Sequence, residues 1–130
     1  MTTHLQKRAA SILAFFSIAL LASCTGSSGT DFAITAPQEN QSFVAGDTLN
    51  VDALLTGSSD EGLHGYELHI RNKETQEVLH DTEEHVHGLT LTVDESWIIN
   101  VSNVDLEVQL ISVNNHTGGI NSRTINVRVN

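Results

Sequence analysis

Two hydrophobic patterns divide the chain. From Ala9 to Leu21 apolar residues run almost unbroken, whereas from Asp31 to Asn130 they come in short runs that alternate with polar residues and are separated by Gly, Asn, Asp and Ser. A period of two sends successive side chains to opposite faces of a strand. Short strands with turn residues between them predict an all-β sandwich of about seven strands over residues 31–130. No part of this region carries a helical period.

The first predicted strand is Phe32-Ala33-Ile34-Thr35; Pro37 lacks a backbone donor, so the ladder stops there and resumes along an edge at Ser42-Phe43-Val44. Thr48 to Leu55 follows, with Leu49, Val51 and Ala53 on one face. The clearest alternation is Leu63 to Arg71, with Tyr66, Leu68 and Ile70 inward and Glu67, His69 and Arg71 outward. Asn72-Lys73-Glu74-Thr75 turns the chain into Glu77 to His80, Asp81-Thr82-Glu83-Glu84 reads as an acidic turn, and the next strand is His87 to Val93. Asp94 to Asn100 is expected to cross the bottom of the sandwich, with Trp97 plugging the core. Val104, Leu106, Val108 and Leu110 alternate through one strand, and Ile120, Ile125, Val127 and Val129 mark the last, joined by the polar turn Asn114 to Gly119.

The N-terminal run has a different meaning. Lys7 and Arg8 precede an apolar stretch of 13 residues, and the small residues Ala22 and Ser23 follow it, the order of a secretory signal. Thirteen residues rising 1.5 Å each fall well short of the roughly 30 Å of a bilayer core, so cleavage is expected rather than permanent spanning. Leu21-Ala22-Ser23-Cys24 resembles the lipobox of bacterial lipoproteins, which implies cleavage after Ser23 and acylation of Cys24 with palmitate-type chains. No second cysteine exists to form a disulfide. Residues 1–23 are thus read as a signal peptide, 24–30 as the lipidated cysteine and a Gly/Ser-rich tether, and 31–130 as the folded domain.

Loss of the signal removes two of the six basic residues and none of the 16 acidic ones, leaving a formal charge of −12. That charge excludes nucleic acid as a partner. It also opposes docking on anionic lipid, so membrane association is expected to come from the N-terminal lipid. The expected location is the bacterial cell envelope, most simply the outer membrane.

Six histidines remain, at 64, 69, 80, 85, 87 and 116. Counting strands up and down sends His64, His80, His85, His87 and His116 to one end of the sandwich, and leaves His69 in mid-strand. In extended backbone, His85-Val86-His87 puts two imidazoles on one side about 6 to 7 Å apart, close enough to share a metal. Imidazole suits zinc, copper, nickel and non-haem iron, and the nearby carboxylates Asp60, Glu61, Asp81, Glu83 and Glu84 could add oxygen ligands. With Cys24 committed to lipid, no thiolate is left. The competing reading is a set of solvated loop histidines.

The pattern Leu63-His64-Gly65-Tyr66-Glu67, then His85-Val86-His87-Gly88, Ser96-Trp97 and His116, with Ala45-Gly46-Asp47-Thr48-Leu49 before it, resembles small lipoproteins of Bacteroidota carrying an immunoglobulin-like domain of unassigned function. The resemblance implies an immunoglobulin-like sandwich, an envelope location, and a grouping of His64, His85, His87 and His116.

Two functions stay open. One is binding of zinc or copper by His64, His85, His87 and His116, with His80, Asp81 and Glu84 as additional candidate ligands; the other is a metal-free recognition or accessory module for an envelope protein or a glycan. Catalysis is not expected, since the chain has no Gly-X-Ser-X-Gly elbow, no phosphate-binding Gly-rich loop and no His-Glu-X-X-His helix. The lipidation reading is checked by Cys24→Ser: the variant should lose its acyl groups, seen in the mass of the N-terminal peptide, and leave the detergent phase in partitioning. Retention there without acylation would refute it.

Overall fold

A computed structural model of the chain describes residues 29–58, 62–114 and 119–130. Cys24, the signal segment, Asp60, Glu61 and His116 lie outside the described residues. The described residues form eight strands and no helix: β1 (Asp31–Ala36), β2 (Ser42–Phe43), β3 (Thr48–Thr56), β4 (Leu63–Asn72), β5 (Val78–Glu84), β6 (Thr90–Ile98), β7 (Val104–Asn114) and β8 (Ile120–Val129). One sheet has the order β1-β3-β6 and the other β2-β8-β7-β4-β5. All pairings are antiparallel except the short parallel one between β2 and β8. This is an immunoglobulin-like β-sandwich.

The alternation in the sequence builds the core directly. Leu49, Val51, Ala53 and Leu55 of β3 face Leu68 and Ile70 of β4 and Leu106, Val108 and Leu110 of β7 across the gap between the sheets, all buried. Burying a Leu or Ile side chain contributes about 1.5–3 kcal/mol, and a one-residue slip would turn every one of these to solvent. Trp97 is half-buried against the core and stacks on the His80 ring, with centroids 6.1 Å apart. Ile120 opens β8 and is 70% exposed, on the face opposite Ile125, Val127 and Val129.

Three sequence expectations change. The segment after Pro37 does not extend β1 but crosses to the other sheet, where Ser42 and Phe43 pair with Arg128 and Val129. Asp81-Thr82-Glu83-Glu84 is not a turn but the second half of β5, in register with His69, Leu68, Glu67 and Tyr66 of β4. An edge strand pairs on one side only, and charged side chains suit it by discouraging further pairing. Finally, β6 starts at Thr90 and runs on through Asp94-Glu95-Ser96 to Ile98, because β3 offers a partner at every position back to Thr48.

With these corrections, one end of the sandwich collects the β3–β4, β5–β6 and β7–β8 connections and the start of β1, since Asp31 pairs with Thr56. The opposite end holds the Lys73–Glu77 turn and the segments 37–47 and 99–103.

Gly65 is where the fold is least forgiving. Beside it, β4 shifts register against β7 between Leu63 and Gly65. A Cβ at Gly65, whose φ is +154°, would run into the Glu84 carbonyl oxygen. At Gly46, φ is +95° but the surrounding space is open. Gly65→Ala should therefore destabilise by about 2–4 kcal/mol and Gly46→Ala by about 1–2 kcal/mol. Urea midpoints measure both, and equal losses would show that the Glu84 carbonyl gives way.

Candidate metal centre

Backbone hydrogen bonds build the site. Leu63, fully buried at the start of β4, donates its N–H to Gly88 O at 2.7 Å and accepts from Gly88 N–H at 3.1 Å. This bridge pins the 85–88 segment, which lies outside the named strands, against the first residue of β4. Gly57 N–H adds a bond to Leu89 O at 2.8 Å. His64, next to Leu63 in the register shift, is thereby flanked by the two histidines of His85-Val86-His87.

The His64 ring lies 4.1 Å from the His85 ring and 4.2 Å from the His87 ring, centroid to centroid, edge to face in both cases; His85 and His87 are 5.2 Å apart. One nitrogen from each of the three falls within 4.8 Å of the other two. His64 is half-buried, and His85 and His87 are exposed. Tetrahedral zinc with bonds of about 2.0–2.1 Å separates its nitrogen ligands by roughly 3.4 Å. His85 and His87 are exposed, so rotation of their side chains is open for closing that gap. Three imidazoles around one point leave a fourth position for another ligand or water.

Of the other predicted ligands, His116 lies outside the described residues. The positions that flank it, Asn114 and Gly119, join through Asn114 N–H to Gly119 O at 3.0 Å, and Asn114 pairs with Leu63. Glu84 pairs with Tyr66 and lines, with His64, His85, Glu67 and Glu83, a depression of about 280 Å³. His80 and Asp81 are not brought to this end. His80 pairs with Ile70 and Asp81 with His69, so they stand about 14 and 10 Å along β5 from Glu84. The cause is the strand that replaced the expected acidic turn. His80 bonds Thr82 Oγ1 instead, at 3.3 Å. His69 sits in mid-strand as expected, 3.2 Å from a Glu67 carboxylate oxygen, with its other ring nitrogen buried and unpaired among the described residues.

One supporting pair escaped the sequence reading. Tyr66, buried beside Gly65, donates its hydroxyl to Glu95 Oε1 of the opposite sheet at 2.9 Å. The signal was present: Glu95 follows Leu91 and Val93 on the inward face of β6, and a carboxylate there requires a donor. Burial first, then the bond to Glu95 and the charges of Glu95, Glu84 and Asp94, hold the hydroxyl proton well above the usual tyrosine range.

No protein-family model matches the chain, and no curated protein matches it. Among solved structures, the fibronectin(III)-like modules of Clostridium thermocellum CbhA are similar, with a TM-score of 0.52 and 16% sequence identity over 77% of this chain. The match covers 46% of that chain, less than half its length. At this identity the likeness shows the sandwich fold alone.

The Tyr66 bond sets a pH signature. Above about pH 10 an unfolded tyrosine releases its proton while folded Tyr66 keeps it, so the native state binds more protons and stability falls as pH rises. Tyr66→Phe should cost about 1–3 kcal/mol at neutral pH by leaving Glu95 without its donor, and should lose part of the alkaline decline. Denaturant midpoints near pH 8 and pH 11 test this; an unchanged decline in the variant would assign it to other groups.

Proposed function

We propose that this chain is a lipid-anchored cell-envelope protein that binds a transition metal ion, zinc or copper, through His64, His85 and His87. The observation that carries the reading is the convergence of the three imidazoles from two chain segments, their nitrogens within 4.8 Å of one another. His116 is the candidate fourth ligand, and Glu84 lines the depression alongside. An all-imidazole set is the borderline donor chemistry that zinc and copper accept, whereas calcium and magnesium require oxygen cages. Acidic groups at the depression raise the local concentration of cations.

The fold accords with a non-catalytic accessory role, in which the sandwich holds loops in position and the loops bind. The lipid anchor assigned to Cys24 gives the location. Binding, storage or transfer of the ion is the role that follows from three side chains with a fourth position open.

Titration of the signal-free mature chain with Zn(II) or Cu(II) against a chromophoric chelator tests the reading. The His85→Ala/His87→Ala variant should bind roughly 100-fold more weakly or worse. Metal at about 100 times its Kd should stabilise the unaltered chain by about 2.7 kcal/mol, and not the variant. Equal weak binding by both chains, with no stabilisation of either, would sink the proposal and leave the metal-free recognition module as the reading.

A further inference from the structure

The tether joins the sandwich at the histidine end. Asp31, the first residue of β1, pairs with Thr56, the last of β3, directly before the β3–β4 connection. Just ahead of it Thr30 is held from two sides: Ser112 donates its hydroxyl to Thr30 Oγ1 at 2.6 Å, and Thr30 Oγ1 donates to Asn114 Oδ1 at 3.2 Å. Ser112 and Asn114 are the two buried polar residues among those described, at 0% and 5% exposure. They belong to the last three residues of β7, whose Val113 lines the depression with His64 and His85.

Covalent geometry limits how far this point can be from Cys24. The six Cα-to-Cα steps between Cys24 and Thr30 span at most roughly 20 Å, whatever their conformation. The sandwich is longer: the 11 residues of β7 extend about 35 Å. A lipid on Cys24 therefore cannot pass along the domain to let the opposite end meet the bilayer. Exposed apolar side chains do not choose between the ends, since Leu54, Val86, Leu89 and Ile120 lie at or near one and Val44, Val78 and Ile98 at the other. The attachment point does choose.

We propose that the histidine end is the membrane-facing surface of this protein and that the lipid bilayer is what covers it, so that the three imidazoles lie on the side of the domain turned toward the headgroups. The inference rests on the proposed acylation of Cys24 and adds orientation to the metal site. The contact is weak by itself, because the domain is acidic, but a short tether holds the facing surfaces at millimolar effective concentration. Val86, Leu89 and Ile120, 44, 57 and 70% exposed, are the side chains that meet the interface. A metal ion reaching or leaving His64, His85 and His87 then moves through the layer between domain and bilayer rather than through open solvent.

Labelling with a fluorophore at single introduced cysteines tests this on the full lipidated protein, because acylation leaves Cys24 without a free thiol. The protein, extracted from cell membranes, is reconstituted into phosphatidylethanolamine–phosphatidylglycerol vesicles carrying a nitroxide quencher on their headgroups. Thr90→Cys marks the histidine end and Glu74→Cys the opposite turn; Ile120→Cys and Asn130→Cys repeat the comparison along β8, should either of the first pair misfold. Quenching should be several-fold stronger at Thr90 and Ile120 than at their partners, and the difference should shrink when a Gly/Ser insert between Ser27 and Ser28 lengthens the tether. Equal quenching at both ends, or stronger quenching at Glu74 and Asn130, overturns the proposal. Protein that washes off the vesicles without an acyl group overturns it through its premise. The metal titration of the signal-free chain is untouched by any of these outcomes, so failure of orientation, of anchoring and of metal binding are told apart.

Discussion

The backbone bridge between Leu63 and Gly88 is the contact on which this end of the molecule depends. At the opposite end the 40–43 segment bonds β8 of the larger sheet before the chain enters β3 of the smaller one. At the histidine end one chain segment bonds β4 of the larger sheet, at 2.7 and 3.1 Å, and runs two residues later into β6 of the smaller one. The bonds contribute about 1 kcal/mol each, and the burial of Leu63 beneath them about 1.5–3 kcal/mol. Together they hold a segment that no ladder supports. Gly65 serves the same constraint from the other side, since only a residue without a Cβ lets the end of β5 come close enough to deliver His85 beside His64. The clustering of the imidazoles thus follows from main-chain geometry at two positions.

That origin explains what could be read from the sequence. Strands β3, β4 and β7 were legible because they are buried on one face, where a period of two is forced on the residues. Strand parity then places the β3–β4, β5–β6 and β7–β8 connections at one end, and with them His64, His85 and His87. The edge strands were less legible. In β5, Asp81, Glu83 and Glu84 are exposed while His80 and Thr82 lie at the margin of the core, so no apolar alternation marks the strand. Its composition is that of a turn, and its conformation is imposed by pairing with β4. The error displaced His80 and Asp81 from the site, because lengthening β5 by four residues moved the turn and left them behind in mid-strand. The Leu63–Gly88 bridge and the register shift at His64 have no sequence periodicity at all, so the approach of the three rings to within 4.8 Å could not be read in advance.

The buried polar groups carry a further constraint. A hydroxyl or amide taken from water costs about 1–3 kcal/mol unless it is bonded, and β7 places two such groups, Ser112 and Asn114, at its histidine-side end. Each engages the Thr30 hydroxyl. Thr30 therefore belongs to the folded unit, and the point where the chain leaves the sandwich is set by hydrogen bonds as well as by the pairing of Asp31. An apolar pair at 112 and 114 would fill the same volume without that requirement and would leave the first residues of β1 free to fray. The polar pair instead ties the chain's point of departure at Thr30 to β7, the strand that pairs with β4 beside the histidine cluster.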